Sequence, residues 1–186
     1  MAGERKQQIL EALAKMLENP KREKITTAAL AAKLDVSEAA LYRHFANKAQ
    51  MFEGLIEFIE TSIFGVINKI TKEENDGIKQ IHLIITMLLK FAEKNPGMTR
   101  VLVGDALVNE DDSLMQRINH LNDRIEMTLK QCLKITVAQG GKKIMPEMQA
   151  NLMMCYVIGH WHQYVKSGFK RKPMEFAQIQ LTMLLA

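Results

Sequence analysis

The stretch Ile25-Thr-Thr-Ala-Ala-Leu-Ala-Ala-Lys-Leu-Asp-Val-Ser-Glu-Ala-Ala-Leu-Tyr-Arg-His-Phe-Ala-Asn-Lys48 decides the fold. Thr26 or Thr27 can cap a short helix by accepting from its free N–H groups, and Leu30, Ala31 and Leu34 supply that helix with a buried stripe. Asp35-Val36 makes a turn. Ser37 can cap a second short helix, Glu38 places negative charge in its first turn, and the helix is expected to run through about residue 45. Two short helices joined by a tight turn, with small residues where they cross and charged or hydroxyl residues outside, predict a helix-turn-helix whose second helix fits a DNA major groove.

Working outward, the chain has 186 residues, 47% hydrophobic and 25% charged, which excludes a disordered chain and suits one compact unit or a small domain joined to a larger one. Long apolar segments repeat at helical spacing, so the expected fold class is all-α, with about nine helices and no strands. The net charge is +4. Residues 1–51 hold nine Lys and Arg against six acids, whereas the remainder holds sixteen against fifteen, so the positive excess sits where a nucleic-acid module would need it.

A first helix is expected over about residues 4–18, with Ile9, Leu10, Leu13, Ala14, Met16 and Leu17 on its apolar side and Asn19-Pro20 ending it before a basic loop at Lys21, Arg22 and Lys24. Asn47 caps a long fourth helix over about 48–71, whose stripe from Phe52 to Ile70 is too long for a small domain to cover and should bridge two domains. Further helices are expected from Gly77 to about 95, over about 98–104 and 111–137, and, after the break Gly140-Gly141-Lys142-Lys143, over about 146–167 and 173–185. The expected domains are residues 1–50, a helix-turn-helix DNA-binding domain, and 51–186, a helical regulatory, dimerisation and partner-binding domain.

Within the first domain, Val36, Leu41 and Phe45 should anchor the recognition helix. Phosphate contacts are assigned to Thr26, Thr27, Tyr42, His44 and Lys48, and base reading to Ser37, Glu38, Ala39 and Ala40, with Arg43 also available near DNA. Other chemistries find little support. Cys132 and Cys155 lack metal or redox spacing and read as reduced core residues; His160 and His162, two apart, point to different helix faces. There is no phosphate-cradling glycine loop and no nucleophile arrangement, so neither enzyme activity nor a cofactor or metal is expected. No segment has the uncharged length of a membrane span, and a cytoplasmic protein needing no membrane is expected.

The run from Ile25 to Lys48 resembles the DNA-binding signature of TetR-type regulators. Ser37 to Phe45, Met51-Phe52, Leu55-Ile56-Glu57-Phe58-Ile59-Glu60, Asn95-Pro96-Gly97 and Thr99-Arg100 further resemble the nucleoid occlusion factors of that family, over about residues 5–135, with a looser fit at Phe169-Lys170 and Pro173. The resemblance implies a nucleoid-associated homodimer that binds palindromic sites in double-stranded DNA and, while bound, engages the tubulin-like division protein FtsZ to block septum assembly. It implies no small-molecule ligand. Carried over by position, the FtsZ contact falls on Val66, Met87, Lys90, Lys94 and Asn95; Val66 and Lys90 replace a family arginine and glycine, Lys94 loses the guanidinium fork, and Asn95 is an identity. The last two helices of such proteins pair across the dimer, which places Met153, Tyr156, Val157, His160, Trp161 and Tyr164 at the seam. The alternative is a ligand-responsive TetR-type repressor.

Overall fold

Polar side chains at the helix starts organise the chain. The computed structural model describes residues 2–19, 25–108, 110–141 and 145–185. Among the described residues the protein is all α-helical: α1 (Ala2–Leu17), α2 (Thr27–Lys33), α3 (Glu38–Tyr42), α4 (Lys48–Glu73), α5 (Gly77–Lys94), α6 (Pro96–Leu102), α7 (Asp112–Ala138), α8 (Pro146–Lys166) and α9 (Ala177–Leu185), with a 3-10 turn at Asp105–Leu107 between α6 and α7. The basic residues Lys21, Arg22 and Lys24, and Lys142 and Lys143 of the later break, lie outside the described residues.

The helix starts follow from side-chain acceptors that satisfy otherwise orphaned N–H groups. Thr26 Oγ1 accepts from the Ala29 N–H at 3.1 Å, Ser37 Oγ from Ala40 at 3.2 Å, Asn47 Oδ1 from Gln50 at 2.9 Å and Asp76 Oδ1 from Lys79 at 3.0 Å. Two helix starts that differ from the sequence expectation have a visible cause. Pro96 opens α6 at its first position, two residues before the expected start, because proline has no N–H to lose there and its φ suits a first helical turn. Pro173 does not open α9, which begins at Ala177: the Met174 N–H donates to Glu93 Oε2 at 3.3 Å and keeps this stretch against α5.

Contacts divide the chain into two compact units, one of residues 1–59 with 95–118 and the other of 60–94 with 119–186. This division does not fall at residues 50 and 51, because α6 and the start of α7 pack into the N-terminal unit. There, α1 packs on α2 and α6, and α2 on α3, around Ile9, Leu13, Leu17, Leu30, Leu41, Phe52 and Leu55. Gly97 is the closest point of approach: a Cβ at that position would lie 2.0 Å from the Ala14 carbonyl oxygen. Beside it Arg100, with only 7% of its side chain exposed, reaches three acceptors, Asp105 Oδ2 at 2.6 Å and the carbonyls of Leu17 and Asn19 at 3.1 and 3.4 Å.

In the other unit α8 lies against α5. Trp161 Nε1 donates to the Leu88 carbonyl at 3.3 Å and the Tyr164 hydroxyl to that of Glu93 at 3.2 Å. Met153, Val157, Trp161 and Tyr164 are therefore core residues of their own chain, all 4% exposed or less, and present no surface to a second copy. Of the residues expected at a seam, Tyr156 and His160 alone are half-buried, their rings meeting edge-on at 4.4 Å. Cys132 is buried, which pushes its thiol pKa up to about 11, whereas Cys155 is exposed and not part of the core.

Gly97→Ala forces a methyl group into the Ala14 carbonyl and must displace α6 from α1. Thermal or denaturant unfolding should show a loss of about 2 kcal/mol or more, the scale of overpacking in a close-packed core; an unchanged midpoint would mean that the two helices separate at little cost.

Candidate nucleic-acid interface

Helices α2 and α3 meet through a turn made by Asp35, whose φ of 53° lies in the left-handed region that short polar side chains tolerate better than branched ones. The Val36 N–H returns to the Ala31 carbonyl at 3.0 Å and closes the turn. Leu41 and Phe45 then fix α3 from below, at 1% and 7% exposure, and Lys6 Nζ sits 5.6 Å above the Phe45 ring. The opposite face carries Ser37, Glu38, Ala39, Tyr42 and Arg43 in solvent, with Ala40 and His44 half-buried at its edge.

Thr26 and Ser37 both use a hydroxyl lone pair as a cap, which leaves each O–H hydrogen to donate elsewhere. Thr27, Glu38 and Tyr42 form a chain across the two helices: the Tyr42 hydroxyl donates to Thr27 Oγ1 at 3.4 Å, and Thr27 donates to Glu38 Oε2 at 2.6 Å. Glu38 is thus bound back onto α2. Lys48, the first residue of α4, is half-buried, with its ammonium paired to the carboxylate of Glu110 and 5.6 Å from the centre of the Phe52 ring. The ten residues assigned to DNA contact all belong to the N-terminal unit.

Two contributors are absent from the sequence reading, one of them with a local signal and one without. Gln50 Oε1 accepts from the Ala46 N–H at 2.8 Å while its own N–H donates to Asn47, a reciprocal cap that Asn47-x-x-Gln50 could have signalled. Glu110 stands 62 residues from Lys48, and no spacing rule points to that pairing.

The residues carried over as a division-protein contact divide between the units. Met87, Lys90 and Lys94 follow one stripe of α5, from half-buried to exposed, and exposed Leu83 continues it one turn earlier. Val66, on α4, is 42% exposed. Asn95, half-buried just before α6, belongs to the N-terminal unit, which also contains an apolar cavity of about 210 Å³ lined by Lys6, Leu10, Leu55, Phe58 and Met98 among others.

Residues 6–55 match the family described as bacterial regulatory proteins, tetR family, and residues 75–186 match the tetracyclin repressor-like C-terminal domain of SlmA-like proteins. The nucleoid occlusion factor SlmA of Alteromonas mediterranea is 53% identical over 173 residues, covering 92% of this chain and 89% of that protein. The protein of the same name from a Marinomonas species is 50% identical, covering 98% and 93%. Among solved structures, a TetR transcription regulator from Haloarcula marismortui superposes with a TM-score of 0.81 at 15% identity, covering 98% of this chain and 97% of that one. FadR from Bacillus subtilis, in complex with stearoyl-CoA, superposes with 0.78 at 16% identity, covering 97% of each; both likenesses establish the fold. None of these matches is named as an enzyme. With half of its residues identical along nearly the whole chain, and with both halves matched in order, the chain belongs to the SlmA family of nucleoid occlusion factors within the TetR-type regulators.

Proposed function

We propose that this chain binds palindromic chromosomal DNA as a homodimer through α3 and, while bound, engages FtsZ to prevent septum assembly over the nucleoid. The observation that carries the reading is the 53% identity, over 92% of the chain, with a relative named for nucleoid occlusion. The geometry of α2 and α3 supports it. Ala39 and Ala40 allow close approach to base edges and can meet a thymine methyl, Ser37 can donate to an acceptor, and Tyr42, Thr27 and Thr26 hold hydroxyls at the rim where phosphates pass. Glu38 acts chiefly by orienting Thr27 and, through it, Tyr42.

A two-fold dimer would set the two recognition helices about one DNA turn, roughly 34 Å, apart. The seam is best supplied by side chains that the chain does not cover itself: Met148 and Leu152 on α8, and Phe176, Ile179 and Met183 on or beside α9, each at least 50% exposed. They follow helical stripes, and the hydrogen bond from Tyr156 to Gln180 at 3.0 Å ties the two helices into one surface. Lys94 and Lys90, beside Met87 and Leu83, offer cations next to apolar surface, a combination suited to an acidic peptide with apolar anchors.

The deciding experiment captures FtsZ on the purified protein with and without a DNA site selected from random genomic fragments. DNA-dependent capture is expected, and Lys94→Glu should reduce it several-fold while leaving DNA affinity unchanged; tight DNA binding with no capture would favour a ligand-responsive repressor. The double variant Leu152→Glu, Ile179→Glu should sediment as a monomer and lose at least about tenfold in affinity for a palindrome, because the second half-site is no longer held nearby. A variant that remained dimeric would place the seam elsewhere.

A further inference from the structure

We propose that Glu110 is an intramolecular competitor of DNA phosphate for Lys48, a residue that tunes DNA affinity without touching DNA. The inference rests on the reading of Lys48 as a phosphate contact. Lys48 opens α4, three residues after Phe45 ends the recognition segment, and its ammonium bonds to a carboxylate oxygen of Glu110, in the short stretch between the 3-10 turn and α7. The two side chains are only 23% and 14% exposed, and the Phe52 ring flanks the ammonium. At that degree of burial an ion pair is screened less than one in open solvent, and neither partner is readily replaced by a counterion.

A phosphate oxygen and a carboxylate oxygen present the same chemistry to an ammonium group. When DNA arrives at the start of α4 it meets a lysine whose charge is already neutralised, with exposed Asp111 and Asp112 adding charge of the same sign as the phosphates. Either Lys48 leaves Glu110, at the cost of leaving a half-buried carboxylate without its cation, or it stays and contributes little to phosphate binding. Both courses lower affinity on every sequence alike, since phosphate contacts carry no sequence information. Glu110 is thus a uniform brake on phosphate binding, the same for a specific site as for random DNA.

The test measures affinity for a random duplex and for a selected site across a salt series, using the wild-type protein, Glu110→Gln, Lys48→Ala and the double variant. Glu110→Gln keeps size and polarity; circular dichroism melts check its folding. It should tighten binding to both duplexes by about threefold to tenfold at low salt, the range expected for releasing one partly buried ion pair, with the advantage shrinking as salt rises. In the Lys48→Ala background the same substitution should change affinity by less than about twofold. Unchanged or weaker binding by Glu110→Gln overturns the competition, and so does an equal gain with Lys48 absent, which would reflect the general negative field. The double variant binding as tightly as Glu110→Gln alone would instead refute the phosphate role of Lys48, on which the competition depends.

Discussion

A guanidinium buried between two helices holds the N-terminal unit in register. The last carbonyls of α1 have no donors within their own helix, and Arg100, some 80 residues further along, supplies donors to Leu17 and Asn19 while Asp105 balances its charge. Removing an ion from water costs several kcal/mol, and the three acceptors around Arg100 are what offset that cost. The arrangement needs α6 to lie directly on α1, which the missing side chain of Gly97 permits. Helix α1 in turn packs on α2, and α2 on α3, so the orientation of the recognition helix depends on a segment that a reading by chain order places in another domain. An isolated fragment of residues 1–50 would expose the face that α6 covers.

Sequence periodicity and capping chemistry disclosed what is local. Thr26, Ser37 and Asn47 act as caps where expected, and the buried stripe of α4 from Phe52 to Ile67 follows the period of its helix. What periodicity cannot tell is which apolar surface a helix faces. Met153, Val157, Trp161 and Tyr164 form the stripe that the α8 pattern shows most clearly, and it turns inward because the Trp161 N–H and Tyr164 O–H find carbonyl acceptors on α5 of the same chain. The exposed stripe of α8, with Met148 and Leu152, is the weaker pattern in the sequence. Cys155, expected in the core, is exposed: a small apolar residue on an amphipathic helix carries no label for its face.

Long-range pairings account for the rest of what was hidden. Arg100 with Leu17, Lys48 with Glu110 and Glu93 with Met174 each join positions more than 60 residues apart, and no spacing rule links them. Pro173 illustrates the conflict between local and distant forces. A proline followed by helix-forming residues is a start signal, yet the carboxylate of Glu93 takes the Met174 N–H and helical geometry begins only at Ala177.

Charge gives the same lesson about function. The excess of basic residues over acids in the first 51 residues overstates the positive field available to DNA, because the pairing must be counted on the whole fold. Lys48 is paired with Glu110, an acid from outside that stretch, whereas Lys15 pairs with Glu18, which the count already includes, and Lys6 keeps its charge over the neutral Phe45 ring. Among the described residues, the outward face of α3 carries hydroxyls, alanines and the exposed cation Arg43, so counterion release from that face is modest. Doubling the surface across a two-fold axis offsets this, since the second half-site is bound at the high effective concentration set by the first. Single sites joined by symmetry discriminate well: random DNA offers one half-site at a time, and a palindrome offers both. Under the proposed function, dependence on a dimer would confine tight binding to the palindromic regions of a chromosome.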